Sequence, residues 1–455
     1  MRRETSNPQE RASIGPKILL TDSNRWPVTP RLAIAFSKAG CSVAALCPSP
    51  GHPIQMASTV QRIFRYSGLH PLNSLRMAIE AFDPDIVVPS CDRSVEHLHT
   101  LHALSKSQGA PGEKIASLIE RSLGPPESFA VVSSRFELLK VASAEGILVP
   151  DMIAVNDAAD LKPWSSQTAL PWVLKADGSS GGRGVRVAHS VVAAQQSFLE
   201  LTERPRMLEL IKRLILNRDR DWVLSDWRHS HPAVIAQSQI DGRPANCAVV
   251  CWQGKVLAGI SLEVVRAKGP RGPATVVQVV ESPKMMLAAE RIASRLYLSG
   301  FFGLDFMIEN GSGATYLIEM NPRCTPPCPL ALGKGRDLIA AMWAQLTGQP
   351  LPESRPVTRK KRIAYFPQTG AAMGGLQDFG HHETSYYDVP HGEPELIQEL
   401  LHPWSERSIP GQMFDRARRM WTQQNAPGVC VFESEMASAR SEPGAETIHW
   451  KAVND

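Results

Sequence analysis

The chain has 455 residues, 43% hydrophobic and 21% charged, with a formal net charge of +4. That length exceeds one compact core and calls for two to four domains. So small a net charge gives no basis for a nucleic-acid partner, and no apolar run approaches the roughly 18–20 residues of a membrane span.

The opening MRRETSNPQERAS lacks the apolar core of a signal peptide. Eight cysteines, none in a C-x-x-C pair, read as reduced thiols. Both features imply a cytoplasmic protein. Cys324 and Cys328 have no matching His or Cys partners, which speaks against zinc. Residues 1–13 read as a flexible N-terminus.

Residues 14–125 read as an N-terminal α/β domain. KILLTD (Lys17 to Asp22), CSVAALCP and DPDIVVPS (Asp83 to Ser90) are short buried strands, with helices from Arg31 to Gly40 and through Val95, Leu98 and Leu101. Such alternation predicts a parallel sheet with covering helices. No G-x-G-x-x-G follows the first strand, so a dinucleotide site is not signalled. Ligands of such sheets collect at strand C-termini. Asp22, Ser23, Asp92 and Arg93 lie there, and the same residues also suit ordinary turns and caps.

The spacing next predicts a helix over Ser133 to Glu145, capped by serine and stopped by Gly146. Trp172 to Ala176 and Gly184 to Ala188 read as strands flanking GSSGGRG, four glycines in seven residues. Glycine lets backbone N–H groups turn toward an anion, and Lys175 stands just before the loop. No Gly-Lys-Ser/Thr ends the loop, so it is not a Walker A sequence. A plain flexible turn would satisfy the same composition.

FFGLDFMIENGSGATYLIEMNPRCT, residues 301–325, reads as a hairpin. Strands Gly303 to Glu309 and Thr315 to Asn321 flank a turn at Asn310 to Gly313. Alternation puts Leu304, Phe306, Ile308, Tyr316, Ile318 and Met320 on an apolar face. Asp305, Glu309, Glu319 and Asn321 take the other face, with Asp305 opposite Glu319. Like charges so opposed repel, and a cation between them would resolve the conflict. An all-oxygen set of Asp305, Glu319 and Asn321 suits Mg²⁺ or Mn²⁺. Arg323 then stands beside the metal, as a phosphoryl group would require. A solvent-facing hairpin with a wet polar face fits the pattern too.

The loop Arg266 to Thr275 gathers Arg266, Lys268 and Arg271 among glycine and proline, suited to an anionic substrate or simply exposed. His229 and His231 lack a third ligand and read as loop residues. Trp222 and Trp227 suit packing better than base stacking. A helix is expected over Leu332 to Leu346 and a strand over Lys361 to Gln368. Helices follow at Pro394 to Leu401 and Phe414 to Gln424. Residues 350–436 form a C-terminal extension that either packs on the core or makes a homodimer surface. The tail, 437–455, reads as flexible.

These motifs together resemble the ATP-grasp superfamily over residues 126–349. The order is a helix beginning Ser134-Arg135, then VLKADGSSGGRGV, VIAQSQIDG, and DF followed by YLIEMNPR. The resemblance implies a Rossmann-like N-terminal domain ahead of a two-subdomain core, with the lid subdomain at about 150–240. It implies ATP as substrate and Mg²⁺ as its metal. Arg135, Lys175 and the loop residues Gly178, Ser179, Ser180, Gly181, Gly182 and Gly184 would meet the phosphates. Gln237, Ser238 and Ile240 would line the adenine, although the family often carries an acid at that hinge. Asp305, Glu319 and Asn321 would hold the metal, and Arg323 the transferring phosphate.

The family's biotin carboxylases continue into a Gln-Val-Glu-His run, whereas here Arg323 is followed by CTPPCPLALGKG. The large carbamoyl-phosphate synthases carry two copies of the core, and this chain has no internal repeat. What remains is the carboxylate–amine ligases: ATP activates a small carboxylate as an acyl phosphate, and an amine captures it. The alternatives are another carboxylate-activating enzyme, such as a carboxylase or a thiol-using ligase, and a non-catalytic nucleotide-binding protein.

Overall fold

The computed structural model describes residues 15–49, 51–178, 184–203, 232–269, 272–353, 355–369 and 385–402. Ser179, Ser180, Gly181, Gly182, Trp222, Trp227, His229, His231, Arg271, the span Phe414 to Gln424 and the two chain ends lie outside them.

Four strands make the first sheet: β1 (Lys17–Thr21), β2 (Ser42–Cys47), β3 (Arg62–Arg65) and β4 (Ile86–Pro89). All pair in parallel, in the order β3-β2-β1-β4. Helices α1 (Val28–Lys38), α2 (Pro71–Phe82), α3 (Asp92–Ser105) and α4 (Gly109–Leu123) accompany them. Sequence reading missed β3, α2 and α4. β3 is an edge strand with Arg62, Ile63 and Arg65 exposed, so it carries no apolar alternation. The helical spacing of Leu75, Ile79 and Phe82 was present but follows His70-Pro71, which reads as a loop. Gly109, Pro111 and Gly112 hide the start of α4 in the same way.

The short helix α5 (Phe129–Ser133) gives way at Ser134 to α6 (Arg135–Ala144). Ser134 has extended backbone and its hydroxyl accepts from Glu137 N at 3.3 Å, the cap expected from sequence. A second, antiparallel sheet has the order β5-β8-β6-β7, from β5 (Met152–Val155), β6 (Trp172–Ala176), β7 (Val185–Ala188) and β8 (Val234–Ser238). Its core is local, with Trp172, Leu174, Ala236 and Phe198 buried together.

The third sheet has seven strands, ordered β13-β12-β9-β10-β11-β14-β15. They are β9 (Gly242–Trp252), β10 (Lys255–Ala267), β11 (Ala274–Val280), β12 (Gly300–Glu309), β13 (Thr315–Asn321), β14 (Arg362–Ala364) and β15 (Ser385–Tyr387). Gln253 and Gly254, both at positive φ, close the β9–β10 hairpin in two residues. Alternation along β9 feeds two cores. Cys247, Val249 and Cys251 pack with the helix Pro283–Leu296 and α6, while Ala248 and Val250 pack with α1 and the helix Leu338–Thr347. Phe36 of α1 meets Phe301 of β12 edge to face at 6.0 Å, so the first domain shares a core with the large sheet.

Several expectations shift. β10 runs to Ala267, so the basic stretch from Arg266 begins on a strand and only later becomes a loop. Leu332 to Asp337 is not helical, with Gly333 and Gly335 at positive φ, and the helix starts at Leu338 under an Asp337 cap. The strand expected over Lys361 to Gln368 is only Arg362–Ala364. The helix Pro394–Leu401 matches its expected bounds.

Gly300 sits where α4 meets β12. Its φ is +85°, and a Cβ there would lie 2.4 Å from the Ser122 carbonyl oxygen. Gly300→Ala is expected to destabilise the fold by roughly 1–3 kcal/mol, read as a lower urea midpoint at unchanged slope.

Candidate active site

The hairpin β12–β13 forms the floor of the site. Register places Gly303 opposite Asn321, Leu304 opposite Met320 and Asp305 opposite Glu319, as expected. One residue further the register slips, and Phe306 faces Leu317. Ile318 is therefore the extra residue of a β-bulge. This corrects the apolar face: Leu317 is fully buried beside Leu304, Phe306 and Met320, whereas Tyr316 and Ile318 are only half-buried. The bulge also frees the Ile318 carbonyl, which accepts from Lys175 Nζ at 3.1 Å.

Lys175 lies on β6, fully enclosed. Burial pulls its pKa down to about 8, opposed by the nearby Glu319. Arg135, the first residue of α6, reaches both sheets. Its Nη1 donates to the Ala176 carbonyl at 2.5 Å and to Asp177 Oδ1 at 3.2 Å, and its Nη2 donates to Glu319 Oε1 at 2.7 Å. Burial raises Asp177, a shift that Arg135 opposes. Asp177 follows Lys175 by two positions, so alternation alone would have found it.

Asp305 is half-buried, and burial, reinforced by Glu319, pushes its pKa up to about 6. Asn321 Nδ2 donates to Asp305 Oδ2 at 3.0 Å, and Asn321 Oδ1 accepts from Arg323 Nη2 at 3.0 Å. Arg323 Nε donates to Asp92 Oδ1 at 2.9 Å. Burial works against the Arg323 charge, but Asp92 and then Asp305 outweigh it and its pKa rises. The side chains of Lys175, Arg135, Arg323, Asp177 and Asp92 thus gather around two opposed carboxylates. The donor set fits a hard dication: Asp305 and Glu319 repel one another in a half-buried place, and the Asn321 amide, turned about its last torsion, adds a third oxygen. Among the described residues no group of three His, Cys, Asp or Glu side chains gathers, so that amide oxygen is needed to complete the set.

The remaining sequence candidates divide. Gly178 has φ +70°, and Ala176 N donates to Gly184 O at 2.9 Å, so the described flanks of the glycine-rich stretch lie close to Lys175. Gln237 is buried on β8, and its Nε2 has no partner among the described residues. Ser238 and Ile240 are half-buried just beyond. Arg266 and Lys268 are exposed, and neither has a hydrogen bond or ion pair to the hairpin among the described residues. Asp22 is not free to meet a ligand: it accepts from Asn24 N, Trp26 N and Thr29 Oγ1 and contacts His52 Nε2.

The molecule is a mixed α/β protein. A parallel-sheet domain is followed by a small antiparallel sheet carrying Lys175 and the two flanks of a glycine-rich stretch, and by a large sheet carrying an acidic hairpin. Residues 132–327 match the ATP-grasp domain family, and this part of the chain is an ATP-grasp domain.

No curated protein matches in a sequence comparison. Similar solved folds include the biotin carboxylase domain of Hydrogenobacter thermophilus 2-oxoglutarate carboxylase, in complex with MgADP, ADP and bicarbonate. Its TM-score is 0.53 at 15% identity, covering 75% of this chain and 72% of that one. N5-carboxyaminoimidazole synthetase from Staphylococcus aureus with ADP has a TM-score of 0.52 at 14% identity, covering 75% and 79%. L-amino acid ligase from Bacillus licheniformis has 0.50 at 14% identity, covering 75% and 78%. Among the described residues no helix is long and apolar enough to cross a membrane.

The raised Asp305 gives a signed expectation. Its folded pKa of about 6 lies above the ordinary 3.8, so the folded state binds that proton more tightly than the unfolded state does. The stability this contributes is present below the unfolded value and is lost as pH rises through about 6. With metal chelated, Asp305→Asn is therefore expected to gain more over wild type at about pH 8 than at about pH 5. Urea midpoints of both proteins at the two pH values check it.

Proposed function

We propose that the protein is an ATP-dependent ligase that activates a small-molecule carboxylate as an acyl phosphate and joins it to an amine. The observation that carries this reading is the convergence of Lys175, Arg135 and Arg323, from three separate segments, on the opposed Asp305–Glu319 pair. Cations so placed around two carboxylates suit a polyphosphate and its metal. The ADP held by solved structures of similar fold supports a nucleotide at this place.

In this reading the β- and γ-phosphates lie between Lys175 and the hairpin. Arg135 exchanges its Glu319 contact for phosphate oxygens. Mg²⁺ or Mn²⁺, held by Asp305, Glu319 and the Asn321 oxygen, supplies charge neutralisation when bound. The glycine-rich sequence from Gly178 through Ser179, Ser180, Gly181 and Gly182 to Gly184 offers backbone N–H groups. The unpartnered Gln237 amide donates toward the adenine, with Ser238 and Ile240 beside it. A carboxylate oxygen attacks the γ-phosphorus, and the bond to ADP breaks. Three of the five Arg323 N–H groups are engaged, to Asp92, Cys324 O and Asn321, leaving one on each terminal nitrogen for the phosphoryl oxygens. The amine then attacks the acyl carbon, phosphate leaves and an amide remains. Arg266, Lys268 and Arg271 are candidates for holding an anionic part of the acid, and residues 350–436 for a homodimer surface.

With ATP, Mg²⁺, pooled amino acids and small carboxylic acids, wild type is expected to release ADP and phosphate only when both an acid and an amine are present. Arg323→Ala should lower that rate by about 10²–10³-fold. Release of AMP and pyrophosphate would refute the acyl-phosphate step. A need for bicarbonate in place of the amine would move the assignment to a carboxylase.

A further inference from the structure

Asp92 comes from the parallel-sheet domain, unlike every other charged residue around the hairpin, and the proposed chemistry leaves it without a role. It is the first residue of α3, directly after β4. An acid in a helix's first turn needs no special reason, but this one meets Arg323 Nε at 2.9 Å across 231 residues of sequence. The backbone makes the same crossing, since Cys324 N donates to Pro89 O at 3.2 Å. The β4–α3 turn therefore receives the chain as it leaves β13 and grips it at two points.

Three acceptors fix the Arg323 guanidinium: Asp92 Oδ1, Asn321 Oδ1 and the Cys324 carbonyl. Only Asp92 is a full anion. The Asn321 contact is lost when that amide turns its oxygen to a metal, and the Cys324 contact, at 3.3 Å, is the longest. Of the two contacts that then remain, Asp92 makes the shorter one. As a source of stability the pair is weak, because the Asp92 side chain is 42% exposed and water screens it. What it can supply is direction.

We infer that Asp92 is a positioning residue, through which the N-terminal domain aims Arg323 at the phosphoryl group in transfer. The inference rests on the reading of Arg323 as the phosphoryl contact. Asp92 itself touches neither nucleotide nor acyl group. It acts by keeping one N–H of each terminal nitrogen of Arg323 turned toward the hairpin.

The test is calorimetric titration of the full chain with MgADP, with and without aluminium fluoride as a phosphoryl mimic. The proteins are wild type, Asp92→Asn, Asp92→Ala, Arg323→Ala and the double variant Asp92→Ala/Arg323→Ala. MgADP alone is expected to bind wild type, Asp92→Asn and Asp92→Ala within about twofold, since Asp92 is not assigned to the nucleotide. Aluminium fluoride should tighten binding to wild type, and Arg323→Ala should lose that gain. Asp92→Ala should lose roughly 10- to 100-fold of it, the scale expected for a misplaced group. The isosteric Asp92→Asn should lose less, and in the Arg323→Ala background removing Asp92 should cost nothing further. A merely structural role would weaken MgADP as well and would add to the Arg323 loss. Asp92→Ala within twofold of wild type in the mimic complex would overturn the inference while leaving the nucleotide site standing. Absence of any tightening in wild type would remove Arg323 from the phosphoryl position, and the inference with it. Failure of wild type to bind MgADP at all would overturn the functional reading itself.

Discussion

The opposition of Asp305 and Glu319 across adjacent strands is the constraint the site is built around. Two carboxylates in register and partly removed from water repel with little screening. The folded chain answers with cations from elsewhere. Arg135 takes Glu319 directly, Lys175 stands between the two sheets, and Arg323 reaches Asp305 through the Asn321 amide. Each of those cations is itself buried and would be costly alone. Arg135 and Arg323 therefore each hold a second, acidic partner, Asp177 and Asp92 respectively, so the network draws on all three parts of the fold.

The bulge at Ile318 converts this charge pattern into geometry. An unbroken hairpin would pair the Ile318 carbonyl along the ladder or point it at solvent. In the slipped register it accepts from the Lys175 ammonium beside the acidic residues. The same slip turns Leu317 inward and seals the apolar underside against α6. One extra residue thus sets both a hydrogen-bond acceptor in the polar cleft and the packing beneath it.

Much of this was legible in the sequence because it is local. The strand bounds of Trp172 to Ala176 and Thr315 to Asn321, the Ser134 cap and the Asp305–Glu319 register follow from alternation, turn residues and capping chemistry. Those rules act over a few positions. The bulge was not legible, since either register buries enough apolar surface and only packing against α6 decides between Leu317 and Ile318. Nor was the Arg323–Asp92 contact, which no periodicity encodes because its partners lie on different sheets. Asp177 was legible and overlooked: it shares the Lys175 face and stands in the same quoted motif. α2 shows the opposite error, in which a clear helical stripe was hidden by a proline that in fact opens the helix.

How the sheets are joined bears on which of them can move. The parallel-sheet domain shares apolar core with the large sheet through Phe36 and Phe301. The C-terminal segment fastens it again, with Arg31 paired to Asp388 and Ser58 donating to Glu393 through both its N–H and its hydroxyl. Separating those parts would expose apolar surface, at roughly 25 cal/mol per Å². The small antiparallel sheet is held differently. Its core is its own, Ile235 and Met152 reach into the neighbouring core, and its ties to the hairpin include Lys175 to Ile318 O and the Arg135 bridge. Polar ties can trade one partner for another at small net cost, provided each charge finds a new partner. Phosphate oxygens offer Lys175 and Arg135 what the Ile318 carbonyl and Glu319 offer them now. On the proposed reading, the division between apolar and ionic joints would let the small sheet shift on a ligand while Arg323 stays paired with Asp92 of the parallel-sheet domain.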